Sequence, residues 1–497
     1  MIFVDLKDFS YGNEIEDLAR VFYPNQRVET LRDTSKVADG DYILRCKYQR
    51  DESSREYVIS QLETLSDLVK ENRLELESRQ GLDERDYHRL LKNAFKACVY
   101  DLFTTLTGKA PKWGILTGIR PVKLVNQFRK DGMLNTGIER VLLDSYRIDP
   151  SKARLLQRIA DVQGPYLERE DGSRASLYIH IPFCSSRCHY CSFPSGLISR
   201  VSDKMDAYLD CLDLELSRTI DLFKARGIII DTVYIGGGTP TVLDQQALER
   251  LLGIIDLALE KLGKKHLLEY TVEAGRPDSL DRAKLLLLKN YGVNRISINP
   301  QTMNQKTLDL IGRNHTVEDI INIYHEARQV GFESINMDLI LGLPGEDAND
   351  FAHTMDQIGP LMPDNITMHT LAVKRGSSYK EDFEQYDPDR GGIAERMAEI
   401  CTDWVDRLGM VPYYLYRQKY MLDHLENVGY SLPGKECLYN IQIMEEKRSI
   451  WAFGAGAISK VYYKDQDRLE RVANVKNLDD YLDRIDEMIE RKTRVLL

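Results

Sequence analysis

Residues 178 to 191 read Tyr178-Ile-His-Ile-Pro-Phe-Cys184-Ser-Ser-Arg-Cys188-His-Tyr-Cys191. The three cysteines follow a C-x3-C-x2-C spacing, so a single loop can wrap them around one metal cluster. Cysteine thiolates are the ligands that hold iron–sulfur clusters. Three ligands for four irons leave one iron open, as a catalytic metal site requires. The spacing therefore predicts a [4Fe–4S] cluster on Cys184, Cys188 and Cys191.

Two other interpretations of this loop are a zinc site and three coincidental thiols. Zinc needs a fourth Cys or His close by, and His189 lies between two of the cysteines. The spacing is atypical of zinc motifs, which favours the iron–sulfur cluster. Its open iron can chelate the amino and carboxylate groups of S-adenosylmethionine. An electron from the cluster can then break the sulfonium C–S bond and start radical chemistry.

A second motif reads Gly236-Gly-Gly-Thr-Pro240 and follows a strand-like run. Three glycines expose backbone N–H and C=O groups and let a ligand come close. Such a loop suits the methionine amino group of S-adenosylmethionine. A glycine run alone is weak evidence, but its position about fifty residues after the cysteines strengthens the interpretation.

Strand-like and helix-like runs alternate from Ser176 onward, which predicts an α/β fold with a parallel sheet and right-handed crossovers. Six such units predict a partial (β/α)6 barrel, whose chemistry lies at the C-terminal ends of the strands. We expect three parts: an accessory α/β domain over 1–165, the barrel over 170–410 and an extension over 411–497. The predicted strands are Ile2–Leu6, Asp41–Tyr48, Leu177–Pro182, Thr232–Ile235, Leu267–Glu273, Arg295–Ile298, Ser334–Leu341 and Ile366–Val373.

Length and charge narrow the class of protein. The chain has 497 residues, which favours two or three domains. Its formal net charge of −11 argues against a nucleic-acid partner and a polybasic membrane surface. The N-terminus lacks a signal pattern, and the apolar runs are shorter than a membrane span. We therefore expect a cytoplasmic protein. The other five cysteines are expected to be inert, mostly buried thiols.

These motifs resemble the radical S-adenosylmethionine superfamily and, more narrowly, the oxygen-independent coproporphyrinogen III oxidase family. That family shows Y-I-H-I-P-F-C-x3-C-x-[YF]-C, then G-G-G-T-P-[ST], then D-L-I-x-G-L-P, and here the last motif reads Asp338-Leu-Ile-Leu-Gly-Leu-Pro344. The resemblance covers residues 176 to 459. The additional N-terminal region, with its run Trp113 to Pro121, is similar to the long HemZ-type branch, called coproporphyrinogen dehydrogenase.

The resemblance implies a radical oxidoreductase that decarboxylates two propionates of coproporphyrinogen III to vinyl groups, giving protoporphyrinogen IX in haem biosynthesis. Its partners would be the tetrapyrrole and a low-potential electron donor such as flavodoxin or ferredoxin. The alternative within the family is a haem-binding chaperone that transfers haem without decarboxylation. Radical chemistry on another substrate is a third possibility, because cluster and barrel are shared across the superfamily.

The resemblance also implies the contacts to S-adenosylmethionine, of which the family can bind two molecules. Tyr178, Gly237 and Glu273 match contacts to the first molecule, and Ile458 matches a later contact to it. The positions that match contacts to a second molecule are Tyr190, Gly238, Thr239, Gln301, Arg313, Asp338 and Ala372.

The sequence departs from the family pattern in three places. Phe193 stands where the well-characterised oxidases carry a fourth cysteine, as in the chaperone branch. Pro300 precedes Gln301, fixes φ and removes a donor. Gly275 and Arg276 replace the usual Asn at the end of the third strand.

Other residues allow a functional and a structural interpretation. His180 is expected to be a packed, hydrogen-bonded histidine rather than a catalytic one. The run Trp113 to Pro121 is either a docking loop or a structural turn. The charge-rich tail from Asp479 to Arg494 is expected to be a solvated helix. Four residues are either contacts to substrate carboxylates or solvated charges: Lys374, Arg375, Arg417 and Lys419.

Overall fold

The chain folds into two compact units, Met1–Arg158 and Ile159–Leu497. The three-part division at residues 165 and 410 remains a prediction. The computed structural model describes residues 1–6, 9, 11–76, 81–168, 172–191, 195–372, 391–419 and 421–496.

The N-terminal unit contains a five-stranded sheet in the order β2-β1-β3-β4-β5. Strand β1 pairs in parallel with β2 and β3, whereas β3, β4 and β5 pair antiparallel. The elements are β1 (Ile2–Asp5), α1 (Gly12–Phe22), β2 (Val28–Thr30), β3 (Tyr42–Arg50), β4 (Glu56–Glu63), β5 (Leu68–Glu75), α2 (Glu84–Thr107), α3 (Val122–Lys130) and α4 (Asn135–Asp144). Helix α5 (Pro150–Leu167) spans the boundary between the two units at Arg158. Strands β1 and β3 lie where the sequence predicts strands, over Ile2–Leu6 and Asp41–Tyr48.

Helix α2 begins and ends at residues suited to those positions. The Asp83 carboxylate accepts a hydrogen bond from the Asp86 amide at the N-cap, and Gly108 ends the helix with a φ of 70°. A carboxylate cap satisfies an amide left free at the helix start, and glycine adopts a left-handed conformation without steric cost. Its buried face carries Phe95, Cys98 and Phe103.

The first half of the run from Trp113 to Pro121 is packed into the N-terminal unit. Trp113 and Ile115 are buried, and the Ile115 amide donates to the Tyr146 carbonyl over 2.9 Å. Gly114 has a φ of 52°, and a side chain there would collide with the Tyr146 carbonyl. These contacts support the structural interpretation for the first half of the run, whereas Ile119 is exposed.

The C-terminal unit is built on an eleven-stranded sheet in the order β14-β15-β13-β12-β11-β10-β9-β6-β16-β17-β18. Six consecutive strands are parallel and carry helices between them, as predicted for a partial barrel. These strands are β6 (Arg174–Ile181), β9 (Ile229–Gly237), β10 (Glu269–Gly275), β11 (Arg295–Ile298), β12 (Ser334–Leu341) and β13 (Asn365–Thr370). The helices that follow them are α6 (Ile198–Val201), α7 (Met205–Arg226), α8 (Gln245–Leu262), α9 (Arg282–Asn290), α10 (Gln305–Leu310), α11 (Val317–Val330), α12 (Ala348–Ile358) and α13 (Ile393–Arg407).

The region after residue 410 extends this same sheet at both ends. At one end β15 pairs antiparallel with β13 and with β14, and at the other β16 pairs in parallel with β6. The elements are β14 (Val411–Tyr416), β15 (Asn427–Ser431), α14 (Leu438–Glu445), β16 (Ser449–Phe453), β17 (Ile458–Tyr463), β18 (Arg468–Ala473), α15 (Leu478–Asp483) and α16 (Ile485–Leu496); β7 (Phe183–Cys184) and β8 (Gly196–Leu197) form a separate short pair.

The charged tail differs from the solvated helix that the sequence predicts. It forms two helices, α15 and α16, which bury Tyr481, Met488, Lys492 and Leu496. The prediction is wrong for this face because a lysine is usually exposed, whereas Lys492 finds a buried carboxylate partner. Within the described residues, no helix is both long enough and apolar enough to cross a membrane.

Candidate functional site

A cavity of about 390 Å³ opens at the C-terminal ends of the parallel strands. This is the edge where a parallel α/β sheet carries its chemistry. The predicted site residues that line the cavity are Cys184, Cys188, Cys191, Tyr190, Gly237, Gly238, Thr239, Glu273, Gln301, Arg313, Asp338 and Ala372.

The cysteine loop begins at β7, two residues after β6 ends. Cys188 is buried, and Cys184 and Cys191 are half-buried. The Cys184 sulfur lies 3.7 Å from Thr239 Oγ1, and the Cys191 amide donates to the Cys188 carbonyl over 3.0 Å. Three thiols on one short loop facing a cavity fit the ligand set of an iron–sulfur cluster. Phe193, the position of the missing fourth cysteine, lies outside the described residues.

The glycine motif passes directly over the start of the cysteine loop. Gly237 has a φ of 115°, and a Cβ atom there would lie 2.7 Å from His180 Nδ1. A Cβ atom on Gly238 would lie 3.0 Å from the Cys184 sulfur and would collide with the Phe183 carbonyl. Only glycine fits both positions. The backbone therefore forms a cradle beside Cys184, which fits a bulky cofactor at this edge.

Glu273 closes the cavity on the glycine side. Its carboxylate accepts hydrogen bonds from Tyr234 Oη over 2.8 Å and from the Gly237 amide over 3.2 Å. Burial raises the pKa of Glu273 to about 7, and the hydrogen bonds from Tyr234 and Gly237 oppose this shift. When it is ionised, this carboxylate can accept hydrogen bonds from ligand hydroxyls through both oxygens.

Gln301 lines the same cavity from the strand-to-helix loop after β11. Its φ is 69°, and its backbone continues the sheet through hydrogen bonds with Asp338 and Ile340. Its side-chain Oε1 is buried without a hydrogen-bond partner among the described residues. A buried amide oxygen left unpaired is costly, so this atom fits a ligand donor. Pro300 precedes this left-handed residue.

Arg313 and Asp338 add two opposite charges to the same cavity. Arg313 donates to Tyr190 Oη over 2.9 Å and to the Asn299 carbonyl over 2.8 Å. The Asp338 carboxylate accepts from Asn336 over 2.7 Å. Burial raises its pKa, but interactions with His369 and the Asn336 amide outweigh burial, and the pKa is lowered. Arg313 and Asp338 can thus bind the carboxylate and the amino or hydroxyl groups of a ligand.

Two of the predicted contacts to S-adenosylmethionine, Tyr178 and Ile458, are not among the described residues that line the cavity. Tyr178 stacks on Tyr439 with ring centres 6.0 Å apart, and its hydroxyl lies 3.1 Å from His180 Nδ1. Ile458 is 44% exposed at the start of β17. Burial lowers the pKa of His180 to about 4, so this histidine is neutral and packed, as expected.

The basic candidates for substrate carboxylates fall into two groups. Lys374 and Arg375 lie outside the described residues. Arg417 donates to the His424 carbonyl over 3.2 Å, and burial lowers its pKa to about 10. Lys419 is exposed. Between these two, Gln418 lines the cavity.

Sequence reasoning missed several polar residues of the cavity. Asn336 precedes Asp338 by two positions on β12, so strand alternation places both side chains on one face. His369 on β13 lies 3.6 Å from the Asp338 carboxylate, and Tyr416 Oη lies 3.4 Å from His369 Nδ1. The alternation could have found Asn336, whereas the other two depend on how the strands pair.

Comparisons with known proteins agree with this geometry. Residues 178–358 match the model of the Radical SAM superfamily. The chain is 39% identical to the oxygen-independent coproporphyrinogen-III oxidase-like protein HemZ of Bacillus subtilis, over 84% of this chain and 83% of that protein. It is 33% identical to the heme chaperone HemW of Bacillus subtilis, over 57% of this chain and 70% of that protein.

The fold has a counterpart among solved structures. Coproporphyrinogen III oxidase (HemN) from Escherichia coli, a radical SAM enzyme, matches with a TM-score of 0.52 and 24% identity, over 68% of this chain and 73% of that chain. Radical SAM proteins use a [4Fe–4S] cluster with S-adenosylmethionine, and these are the cofactors of this chain. The chain belongs to the radical SAM superfamily and, within it, to the family of the oxygen-independent coproporphyrinogen III oxidases and HemZ.

Proposed function

We propose that the protein decarboxylates coproporphyrinogen III oxidatively and without oxygen, converting two propionate side chains to vinyl groups and giving protoporphyrinogen IX. One observation carries the proposal. Apart from Tyr178 and Ile458, the positions that match two S-adenosylmethionine sites, one around Glu273 and one around Gln301, Arg313 and Asp338, line a single cavity with the three cysteines. Two adjoining cofactor pockets suit a substrate that must react twice.

Each part of the cavity has a role in this proposal. Cys184, Cys188 and Cys191 would hold the cluster, which supplies the electron that cleaves S-adenosylmethionine. The glycine cradle admits the cofactor, and Glu273 accepts hydrogen bonds from its ribose hydroxyls. The Arg313 guanidinium stays charged when buried and would bind a carboxylate. Arg417, beside the cavity-lining Gln418, is a candidate to bind a substrate propionate.

The test is anaerobic turnover of the reconstituted protein with coproporphyrinogen III, S-adenosylmethionine, reduced flavodoxin or ferredoxin, and one of several added electron acceptors, which take the electron that each decarboxylation releases. We expect 5′-deoxyadenosine, carbon dioxide and the vinyl product together, detected by mass spectrometry. Formation of 5′-deoxyadenosine without any vinyl product, across several electron acceptors, would contradict the proposal. A preparation without iron serves as the control.

A haem chaperone is the second candidate, and the 33% identity to HemW favours it. Such a protein would keep the cluster and bind haem without decarboxylating a porphyrinogen. The distinguishing measurement is haem titration followed by transfer to an apo-haemoprotein. Stoichiometric binding and transfer, combined with no vinyl product, would select the chaperone.

The raised pKa of Glu273 predicts pH-dependent binding of S-adenosylmethionine. A carboxyl with a pKa of about 7 is mostly protonated at pH 6 and mostly ionised at pH 8, and only the ionised form accepts hydrogen bonds through both oxygens. We expect affinity to rise about tenfold between these pH values. Calorimetry on wild type and Glu273→Gln tests this: the variant should bind weakly, and its affinity should lack this rise. An equally steep rise in the variant would assign the titration to another group.

A further inference from the structure

Arg276 is buried beside the cysteine loop, although arginine is rarely buried. Its side chain is 3% exposed, and its Nη1 atom lies 3.7 Å from the Cys188 sulfur and 3.2 Å from the Ser186 carbonyl. Both contacts point at the loop that carries the cysteines. A guanidinium remains protonated even when it is buried, so this contact places a fixed positive charge beside a thiol.

The backbone at the end of β10 delivers Arg276 to this position. The pairing of β10 with β11 shifts register between Glu273 and Gly275, and Gly275 has a φ of 60°. One extra residue in a strand produces such a bulge and redirects the side chain that follows. The family pattern has a single Asn at this point, and this chain has Gly275-Arg276 instead. The additional residue therefore introduces a positive charge just after the end of β10.

The Asp278 carboxylate binds the Nε and Nη2 atoms of Arg276, whereas the Nη1 atom faces Cys188. Asp278 accepts from Arg276 Nε over 2.9 Å and from Nη2 over 3.3 Å, and Ser185 also donates to it over 3.1 Å. Burial raises the pKa of Asp278, but the nearby His315 ring and the hydrogen bonds from Arg276 outweigh it and hold the pKa well below its usual range. Asp278 is therefore ionised, and the pair is oriented with its positive end toward the sulfur.

We infer that Arg276 is a positioning and tuning residue that raises the reduction potential of the cluster through an N–H···S hydrogen bond to Cys188 and a buried positive charge. Reduction adds one electron from a low-potential donor and makes the cluster more negative, with no bond formed or broken. A nearby cation stabilises that state, because charges interact strongly where water is excluded. Hydrogen bonds to the sulfurs and net charge are known determinants of cluster potentials.

The inference rests on the assignment of Cys188 as a ligand and is independent of the substrate. The test is a redox titration of the reconstituted protein followed by electron paramagnetic resonance, without substrate or S-adenosylmethionine. We expect Arg276→Met and Arg276→Gln to lower the ratio of reduced to oxidised cluster at least about tenfold at a fixed solution potential, about 59 mV for one electron. Arg276→Lys should fall between them and wild type.

Two further variants make the test decisive. Arg282→Met removes a charge from an exposed arginine that donates to Gln329 and should leave the potential unchanged. Asp278→Asn keeps the guanidinium but removes its negative partner, so it should shift the potential in the opposite direction, toward easier reduction. It also covers the case in which Arg276→Met does not fold. Wild-type potentials in iron-replete Arg276 variants, or a shift in the same direction for Asp278→Asn, would overturn the inference.

Discussion

Alanine in place of any one of Cys184, Cys188 and Cys191 is expected to abolish the broad absorbance near ~400 nm of the reconstituted protein and all cleavage of S-adenosylmethionine. A cubane with only two protein thiolates lacks the ligand that fixes its position in the cavity. The effect should be complete for each variant, since each thiol would bind a different iron. Iron content, the absorbance spectrum and 5′-deoxyadenosine release measure it.

The other cysteines provide the control. Cys46 is buried, and burial raises the pKa of its thiol to about 12, so it is protonated and a poor metal ligand. Cys211 is half-buried on α7. Cys46→Ala and Cys211→Ala should retain the absorbance and the cleavage. A Cys188→Ala protein that still assembles a full cubane would show that the ligand assignment is wrong.

The parallel part of the fold could be read from the sequence because its signal is local. Strands such as β9 and β12 are buried apolar runs followed by amphipathic helices, a pattern that depends on neighbours along the chain. The same locality placed the cysteines and the glycine motif at one edge of the sheet. The flanking strands β15 and β16 gave no such signal, because their partners, β13 and β6, lie far away in sequence.

The polar contacts within the cavity were harder to predict from the sequence. The contact of Arg276 with Cys188 joins positions 88 residues apart; the sequence shows the Gly275-Arg276 pair but not which residue its side chain contacts. The contact of His369 with Asp338 depends on the pairing of β12 with β13. Motifs thus indicate which residues reach the site, whereas strand pairing determines which of them touch.

The C-terminal helix illustrates the same limit and leads to a large expected effect on stability. Lys492 Nζ lies 2.5 Å from the Glu215 carboxylate, and both side chains are fully buried. Glu215 also accepts from Tyr481 Oη and from the Gly454 amide. A charged residue in an amphipathic, charge-rich tail is ordinarily solvated. The Glu215 carboxylate on α7, 277 positions earlier, and Asn474 Oδ1, 2.8 Å from Nζ, together make its burial possible.

Lys492→Met is therefore expected to reduce the free energy of unfolding by about 3–5 kcal/mol, because it leaves the Glu215 carboxylate buried without its cation. Arg494→Met is the matched control on the same helix: its ion pair with Glu490 is 71% and 59% exposed, so its loss should change stability by less than about 0.5 kcal/mol. Urea unfolding of both variants beside wild type, followed by circular dichroism, measures the difference. Equal stabilities for the two variants would mean that the buried pair contributes no more than a surface one. The expected loss would instead show that the Lys492–Glu215 ion pair holds the C-terminal helix against α7. Because Glu215 also accepts from the Gly454 amide, the same carboxylate connects this helix to the turn after β16.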